Sequence, residues 1–452
     1  MKKSTLIVLC AAVLSQPALA QQAWSLRECC DYAVSHNISI KQQENIRQQR
    51  ALQLSTARNS RLPDLNASAS ESFSFGRGLT LDNTYTNRST SSTSFSIGTS
   101  VPLFTGFQIP NQIKLNQLNL EAATADLEKA RNDIRMQVAQ GYVQILYNME
   151  IADVAHRQIA IDSQQVARLE TFVRNGKASQ AELSQQQSTL AQARLTATQA
   201  DNQLQLAVLA LTQLLELPTP DGFTIVRPSS PVNRGIASVY QTATDATTTA
   251  SLSPDAIYAD ALALKPEIEA ERIRLSATER SIDIAKAGLY PSLSLSAGLQ
   301  TNYYKTSGMH AEAFGSQLKN NFAQYVGLNL SVPIFNRFQT RNSIRAARLD
   351  RENQQLQLDN VKKSLYKEIQ QVYYNALAAE SKYNSSYAAA QSSHDAFVLV
   401  QAKYENGKSA ITEFNEAKNN DLRAESDLVQ ARYELLYQQA LLDFYRGRDL
   451  SF

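Results

Sequence analysis

Glycine and tryptophan are scarce in this 452-residue chain, which has 15 glycines and one tryptophan. The glycine share is about half of what globular proteins usually carry, which argues against an ordinary globular core. An excess of charge of one sign is also lacking, because 44 basic and 42 acidic residues leave a net charge of +2. No basic stripe is present either, so the sequence predicts no nucleic-acid partner.

Cysteine is nearly absent, and one of the 3 cysteines falls in an export signal. Residues 1–20 combine Lys2-Lys3, an apolar stretch and the small-residue site Ala18-Leu19-Ala20, which predicts a secretory signal peptide. Leu9 is a poor residue before a lipid-modified cysteine, and Cys10 lies too early in the chain. We therefore expect no lipid anchor and a mature chain that begins after residue 20.

The remaining cysteines, Cys29 and Cys30, are direct neighbours. A disulfide between adjacent residues is strained. We therefore interpret both as small apolar residues on a helix.

Long apolar runs are missing from the mature chain, since no run reaches 18 residues. A transmembrane helix is therefore not predicted. If the exported chain spans a membrane, it must do so as strands of a closed barrel.

Residue clusters that carry chemistry are also missing. The four histidines lie far apart in sequence, without metal-ligand spacing, at His36, His156, His310 and His394. The sequence contains no phosphate-binding loop and no nucleophile elbow. The mature chain has too few methionines for a copper or silver ladder, with only Met136, Met149 and Met309. The sequence therefore predicts no metal, no cofactor and no enzyme activity.

The strongest positive feature is an internal duplication. Val101-Pro102-Leu103-Phe104 returns as Val332-Pro333-Ile334-Phe335, 231 residues later. Asn175-Gly176-Lys177 is related to Asn406-Gly407-Lys408 by the same offset. A repeat of this size is not a short solenoid unit. It predicts two similar halves related by a pseudo-two-fold axis, which suits a wall or ring better than a pocket.

Two stretches in each half alternate apolar with small or polar residues. A period of two predicts strand pairs over 65–76/94–104 and 292–304/321–335. Each strand is about long enough to cross a bilayer when tilted. The pattern is typical of outer-membrane barrel strands, and a soluble sheet with one wet face is the alternative. The export signal, aromatic strand ends and serine-rich faces favour the barrel. Between the paired strands, 76–93 and 304–320 are predicted as long outward-facing loops.

Each strand pair is followed by a very long helical pattern, at 108–173 and 338–404. Heptad seams mark these helices, for example at Leu120, Leu127 and Ile134, at Val138, Ile145, Ala152, Ile159 and Val166, and at Leu358, Leu365, Val372 and Ala379. Some 65 residues at ~1.5 Å each give a rod of roughly 100 Å. No globular core needs such a rod, whereas a coiled-coil tunnel does. Each long helix ends at an Asn-Gly-Lys turn.

The duplication also sets the predicted domain layout. Each repeat opens with a helix, over 25–60 and 254–290, that a proline ends, and closes with a return helix. The return helices are predicted over 178–217 and 409–446. The predicted segments are the signal peptide 1–20, a first repeat 21–217, a proline-, threonine- and serine-rich connector 218–253, a second repeat 254–446 and a tail 447–452.

Together these features resemble the TolC family of outer-membrane efflux proteins, across essentially the whole mature chain. The resemblance rests on the order and spacing of several short segments, namely Val101-Pro102-Leu103-Phe104-Thr105-Gly106, its counterpart Val332-Pro333-Ile334-Phe335-Asn336, both Asn-Gly turns, Asn37-Ile38-Ser39-Ile40 and Lys265-Pro266-Glu267-Ile268. It implies a mostly α fold with a membrane β-barrel. In a homotrimer, four strands per chain would form a 12-stranded barrel that continues into a 12-column α-helical coiled-coil tunnel in the periplasm.

The resemblance also implies a gate at the inner tip of the tunnel. Glu413 and Glu416 fall where family members carry acidic rings. Tyr404 and Glu182 match positions that link neighbouring helices and hold the tip shut. The basic latch residue of the family is replaced by Ser409, and the adjacent Lys408 is the candidate substitute.

Two further sets of residues receive roles from the resemblance. The hairpin turns would form the tip to which an adaptor docks, and they comprise Asn175, Gly176, Asn406 and Gly407. The transitions from barrel to helix would be marked by Pro63, Pro102, Pro291 and Pro333.

Symmetry alone gives the acidic residues a physical role. A trimer would bring three copies of Glu413 and of Glu416 into a narrow pore. Rings of carboxylates favour cations and oppose anions, and crowding raises their pKa values. The alternative is that both are ordinary solvated residues in the first turn of a helix, where negative charge is favourable.

The predicted function is a passive exit duct in the cell outer membrane, the outer-membrane channel of a tripartite efflux system for small molecules and drugs. Its predicted partners are two further copies of the chain, outer-membrane lipid, a periplasmic adaptor and an inner-membrane pump. A type I protein-secretion duct of the same fold is one alternative. A periplasmic coiled-coil adaptor, a different class of protein, is the other.

Overall fold

A computed structural model describes residues 23–79, 83–227 and 253–450. Helices dominate, and the order helix, helix, strand, strand, long helix, return helix occurs twice, with one short extra helix between the strands of the second half. The first half comprises α1 (Leu26–His36), α2 (Ile38–Asn59), β1 (Asn66–Leu79), β2 (Tyr85–Thr105), α3 (Gln108–Arg174) and α4 (Gln180–Leu214). The second comprises α5 (Pro254–Leu264), α6 (Pro266–Ala287), β3 (Ser292–Thr306), α7 (Phe314–Asn320), β4 (Ala323–Ser331), α8 (Gln339–Glu405) and α9 (Ile411–Tyr445).

Some of the predicted segments lie outside the described residues. They are the signal peptide 1–20, the larger part of the connector 218–253 and the end of the tail 447–452.

Helix α1 begins where a serine and a glutamate cap it. The Glu28 amide donates to Ser25 Oγ at 3.3 Å, and the Ser25 amide donates to the Glu28 carboxylate at 2.8 Å. Cys29 and Cys30 on this helix are buried and free. Burial raises the pKa of the Cys29 thiol to about 12 and that of Cys30 to about 11. Both thiols are therefore neutral and fill space as small apolar side chains, as predicted.

The opening helix of the first half is broken at Asn37, so the prediction of one helix over 25–60 was wrong. Asn37 has an extended ψ of 133°, which ends α1. Its side-chain oxygen accepts from the Ser39 backbone amide at 2.9 Å, and its side-chain Nδ2 donates to the Leu214 carbonyl at 3.0 Å. The asparagine thus replaces the missing helical bonds with its own side chain.

The opening helix of the second half is also broken, contrary to the prediction of one helix over 254–290. Lys265 has an extended ψ of 124° and separates α5 from α6. The cause is Pro266, because a proline disfavours helical geometry in the residue before it. Lys265 is buried, with its ammonium 3.9 Å from the ring centroid of Phe444 and 4.5 Å from that of Tyr445.

The four strands form one antiparallel sheet in the order β1-β2-β3-β4. Serines on one face bond across β1 and β2, with 2.7 Å between the hydroxyls of Ser68 and Ser96 and of Ser70 and Ser94. Apolar side chains on the sheet are exposed, including Phe73 at 65% and Val326 at 78%. On β1, Phe73 lies on the face opposite to Ser68 and Ser70, as the predicted alternation requires.

Strand β2 is longer than predicted. It begins at Tyr85 instead of residue 94, so the predicted loop 76–93 is mostly strand. Its first half is rich in serine and threonine and lacks the apolar residues that the prediction relied on. The strand forms there because its backbone pairs with β1, and Ser91 Oγ also donates to the Glu71 carboxylate at 2.6 Å.

The second strand pair also departs from the prediction. Strand β4 ends at Ser331, so the tract 332–335 predicted as strand lies beyond it. The predicted loop 304–320 contains helix α7, which packs on β3. Gln317 fixes this helix, since its side chain donates to the Tyr304 carbonyl at 3.1 Å and accepts from the Tyr304 amide at 3.0 Å.

The long helices match their predicted bounds within one residue, since α3 runs over Gln108–Arg174 and α8 over Gln339–Glu405. The predicted heptad seams are largely buried. The buried seam residues include Leu127, Ile134, Val138, Ile145, Ala152, Val166, Leu358, Leu365 and Ala379.

The chain forms two compact units that do not follow the sequence repeats, since each unit contains segments of both. One comprises Met1–Glu44, Leu127–Pro266 and Val361–Phe452. The other comprises Asn45–Asp126 and Glu267–Asn360 and holds the sheet. The main apolar cluster lies in the first unit, where α1 packs against the helix residues around Val138, Ile145 and Leu211.

Candidate functional site

The candidate site lies at the ends of two helical hairpins, and both ends lie within the unit that contains Leu127–Pro266 and Val361–Phe452. We call α3 with α4 the first hairpin and α8 with α9 the second. Their turns share one backbone geometry, with Gly176 at φ +68° and Gly407 at φ +70°. In each, the glycine amide donates to the carbonyl three residues back at 3.0 Å, and the next amide donates five residues back at 2.8 Å. This left-handed turn satisfies the last helix carbonyls and favours glycine.

The asparagines before the glycines complete the turns. Each side-chain amide donates to the carbonyl four residues back, at 2.9 Å from Asn175 and 2.7 Å from Asn406. A Cβ on either Gly176 or Gly407 would meet nothing within 4 Å. Both turns therefore end at an open surface.

The first return helix begins with a reciprocal cap. The Glu182 amide donates to Ser179 Oγ at 3.2 Å, and the Ser179 amide donates to the Glu182 carboxylate at 3.0 Å. Glu182, predicted as a latch residue, is thus tied to the start of α4.

The second return helix lacks that cap. Ala410 is its N-cap residue and has no side-chain oxygen to offer. Glu413, the residue equivalent to Glu182, instead accepts a hydrogen bond from Ser409 Oγ and stays exposed, as does Glu416 one turn later. The two acidic residues therefore present carboxylates at the start of α9.

Tyr404 lies at the junction of the two hairpins. Its ring stacks on Phe414, with 4.9 Å between the ring centroids. The Arg168 guanidinium of the first hairpin lies 5.1 Å from the Tyr404 ring centroid, and its Nη2 donates to the Glu405 carbonyl at 3.2 Å. An arginine of the first hairpin therefore holds the end of the second.

Charges from the first hairpin also act on the Tyr404 hydroxyl. Burial raises the pKa of Tyr404, the Arg168 cation lowers it, and the Glu182 carboxylate raises it. The structure thus brings Tyr404 within electrostatic range of Glu182. Lys408 contributes its amide to the turn while its side chain is exposed.

The four predicted transition prolines lie in the unit that holds the sheet. Pro63 precedes β1, Pro291 directly precedes β3, and Pro333 follows β4. Pro102 differs, since it lies inside β2 at a shift in register with β3.

Two kinds of feature are absent from the described ranges 23–79, 83–227 and 253–450. No helix in them is both long and apolar enough to cross a membrane. No group of three or more histidine, cysteine, aspartate or glutamate residues in them could hold a metal ion.

Comparison with known families decides what kind of protein carries these hairpins. The family described as outer membrane efflux protein matches residues 30–216 and 257–448, which together make up most of the chain. The chain belongs to the outer membrane efflux protein family. The TolC-family resemblance, the duplicated and mostly helical fold, and the outer-membrane location are thereby confirmed.

Two curated relatives match part of this efflux protein. It is 27% identical over 173 residues to protein CyaE of Bordetella pertussis, covering 38% of this chain and 34% of that protein. It is 27% identical over 176 residues to the fusaric acid resistance protein FusA of Burkholderia cepacia, covering 39% of this chain and 30% of that protein. The matched region therefore spans about a third of each relative's length.

A solved outer-membrane protein shares the whole fold. The structure of VceC from Vibrio cholerae superimposes with a TM-score of 0.71 at 18% identity, over 94% of this chain and 97% of VceC. At that identity the likeness shows the fold alone.

Two features of this efflux protein's hairpins were not predicted from the sequence. The first is Arg168, whose counterpart 231 residues later is Leu399. A cation in one repeat opposite an apolar residue in the other is a signal that a comparison of the repeats could have found.

The second is a buried polar network. The carboxylate of Asp162, which is 0% exposed, contacts the ammonium of Lys418, which is 1% exposed. Asp162 also accepts from Gln186 at 3.1 Å and from Gln158 at 2.7 Å. Continued by sevens, the seam of Leu120, Leu127 and Ile134 reaches Asp162. A charged residue in a coiled-coil seam is the signal that was available.

Proposed function

We propose that this protein is the exit duct of a tripartite efflux system, passing small molecules passively from the periplasm to the outside. An inner-membrane pump would supply substrate and energy, and a periplasmic adaptor would dock at the hairpin ends. The observation that carries the proposal is the pair of long hairpins attached to a four-stranded sheet in an outer-membrane efflux protein. Membership of that family excludes the periplasmic adaptor as the protein class.

The sheet supports a homotrimer. Within the described residues, β1 and β4 are the edge strands, each paired on one side. Long exposed edges are a liability that closure removes. Three copies joined edge to edge would close the sheet into 12 strands, with the serine-bearing face inside and the apolar face toward lipid.

The second hairpin supports a gate. Glu413 and Glu416 are exposed at the start of α9, where three copies would place six carboxylates around one axis. Such rings favour cations. The contacts of Arg168 with Tyr404 and with the Glu405 carbonyl would hold the tip shut, in the role of the family's basic latch residue, whose position Ser409 occupies and for which Lys408 is the candidate substitute.

The turns support adaptor docking. Asn175 and Gly176 in the first hairpin, and Asn406 and Gly407 in the second, present the same rigid turn to open surface. A partner could therefore bind both turns by equivalent contacts. The relative FusA is a fusaric acid resistance protein, which agrees with small-molecule cargo, and protein secretion by a duct of the same fold is the alternative.

Single-channel recording tests the proposal. The detergent-purified protein is placed in planar bilayers, and the wild type is compared with Glu413→Ala/Glu416→Ala. We expect a small cation-selective conductance whose preference for cations falls several-fold in the variant. The matched control is Glu170→Ala/Asp395→Ala, which removes two exposed carboxylates from the long helices and should leave selectivity unchanged.

The outcomes separate the channel from its gate. An unchanged selectivity in Glu413→Ala/Glu416→Ala would keep the duct and discard the acidic rings. An equal loss in the control would show a diffuse charge effect instead of a ring. No conductance from well-folded protein would reject the duct.

A further inference from the structure

The buried pair of Asp162 and Lys418 has no part in the proposed gate, yet it joins the two hairpins. Asp162 lies on α3, fourteen residues before Gly176, and Lys418 lies on α9, eleven residues after Gly407. The pair is therefore roughly 15–20 Å from the turns along the helices. One chain buries it completely, so its burial does not depend on a partner copy.

The network around the pair ties three helices together. One Asp162 oxygen accepts from Lys418 and Gln186, and the other accepts from Gln158. Gln186 in turn accepts from Asn415 Nδ2 at 3.0 Å. Both helices of the first hairpin are thus bonded to the return helix of the second.

The contacts of Arg168 and of Arg157 with the second hairpin are more open to water than the pair is, whereas farther from the tip the Glu150 carboxylate contacts Arg432 and Tyr433 in partly buried surroundings. On the tip side of the pair, Arg168 reaches Tyr404 and the Glu405 carbonyl. On the far side, Arg157 pairs with Glu425, with side chains 55% and 40% exposed. Water can solvate these groups when they separate, so the contacts resist separation weakly. Separating Asp162 from Lys418 would instead leave two charges unpaired among packed helices.

We propose that the Asp162–Lys418 pair is a fixed junction that limits how far the hairpins separate when the tip opens. The inference rests on the proposed function, because it presupposes a gate at the tip. The second hairpin would bend away only between the pair and the turn at Gly407. Beyond the pair, toward Arg157 and Glu425, the hairpins would stay together in both states.

Reversible cross-links on either side of the pair test this junction. All variants carry Cys29→Ala/Cys30→Ala, so that the native thiols cannot react. Arg168→Cys/Glu405→Cys places a bridge on the tip side. Arg157→Cys/Glu425→Cys, combined with Arg168→Ser, places it on the far side. Bridges are formed with a flexible bifunctional thiol reagent that a reductant cleaves, and the readout is single-channel conductance.

The two bridges should act differently. Losing Arg168 removes the tip contact, so both unbridged variants should conduct several-fold more than the parent. The tip-side bridge should lower the conductance to the parent level, and cleaving the bridge with reductant should restore the higher conductance of the unbridged variant. The far-side bridge should leave the conductance unchanged, since the pair already holds that region. A far-side bridge that lowers conductance as much as the tip-side bridge would overturn the junction.

A final variant tests the pair directly. Lys418→Met is added to the far-side variant that carries Arg157→Cys, Glu425→Cys and Arg168→Ser. Forming the far-side bridge should then lower the conductance by at least twofold, because bending can extend past the former junction unless the bridge stops it. Continued insensitivity in protein that elutes like the parent would overturn the assignment to this pair. A parent that conducts without any gain from loss of Arg168 would overturn the junction but keep the duct. No conductance in any variant would overturn the proposed function and the junction with it.

Discussion

The two hairpin ends share the same type of backbone turn but differ in the hydrogen bonds of their equivalent glutamate side chains. In the first hairpin, Glu182 is bound back to the Ser179 amide in a reciprocal cap. In the second, Ala410 stands at the cap, and the equivalent Glu413 reaches only the neighbouring Ser409 hydroxyl. A duplicated structure can therefore release an acidic side chain from a helix cap by losing one local hydroxyl. The acidic residue itself need not change.

The hairpins also differ in what stabilises them. The first closes on itself through its cap and an aliphatic cluster of Val166, Leu169, Leu183 and Leu190. The second closes on itself through the ring of Phe414, which is 0% exposed and contacts the rings of Phe397 and Tyr404. It is also tied to the first hairpin by the contacts of Arg168 with Tyr404 and of Asp162 with Lys418. The second hairpin thus depends on contacts with the first in addition to its own aromatic core.

The largest effect should follow from cutting this dependence at its buried point. Lys418→Met leaves the Asp162 carboxylate buried without its cation, which should lower the free energy of unfolding by about 3–5 kcal/mol. The double variant Asp162→Leu/Lys418→Met should lose less than the single one, because an apolar pair can replace a buried ion pair. Denaturant unfolding of the purified protein measures both.

An exposed pair between the same hairpins provides the control for this first prediction. Arg157→Ala/Glu425→Ala removes an ion pair whose side chains are 55% and 40% exposed, and should cost about 1 kcal/mol or less. Equal losses from the buried and exposed pairs would contradict the special role of the buried one.

Much of the fold could be predicted from the periodicity of the sequence, and the errors of that prediction have physical causes. The heptad pattern defines both long helices well, because their predicted bounds match the observed ones within one residue. The start of β2 was misplaced because its serines and threonines form a strand through backbone pairing, without apolar alternation. The breaks at Asn37 and Lys265 depend on a side-chain cap and on a following proline, which act locally and leave no mark on periodicity.

The site was predictable only as far as the repeat and the family resemblance reached. The turns at Gly176 and Gly407 could be read from the chain, because only a left-handed residue ends a helix in this way. The contact residues of Arg168 and Lys418 could not be predicted, since each of the two lies on one hairpin and contacts a residue of the other. Partners that are 236 and 256 residues apart are set by helix packing, which one sequence does not reveal.

A smaller effect should follow from making the second hairpin end like the first. Ala410 has φ −79° and ψ 155°, close to the −86° and 152° of Ser179, so Ala410→Ser fits the backbone. The added hydroxyl should accept from the Glu413 amide and complete a capping box, with a gain of about 1 kcal/mol in unfolding free energy. The Glu413 carboxylate would fold back onto the cap, so the cation selectivity of the channel should fall.

The reverse change in the first hairpin sharpens this second prediction. Ser179→Ala should lose about 1 kcal/mol and leave the selectivity as it is, because Glu182 is not part of the proposed rings. Denaturant unfolding and ion selectivity are measured for both variants. A gain in stability from Ala410→Ser with unchanged selectivity would show that the Glu413 carboxylate does not line the pore.

The smallest effect concerns the alkaline side of the stability curve. Burial raises the pKa of the Tyr404 hydroxyl above its ordinary value of about 10, so the folded chain holds this proton more tightly than the unfolded chain does. The resulting stability is fully present below about pH 10 and is lost as the pH rises through the raised pKa.

Tyr404→Phe keeps the ring stack on Phe414 and the Arg168 contact but removes the proton. Its denaturation midpoint should therefore fall less steeply than that of the wild type above about pH 10. Parallel curves would mean that the hydroxyl is as accessible to water in the folded hairpin as in the unfolded chain, and that the second hairpin end is looser than its stacking on Phe414 implies.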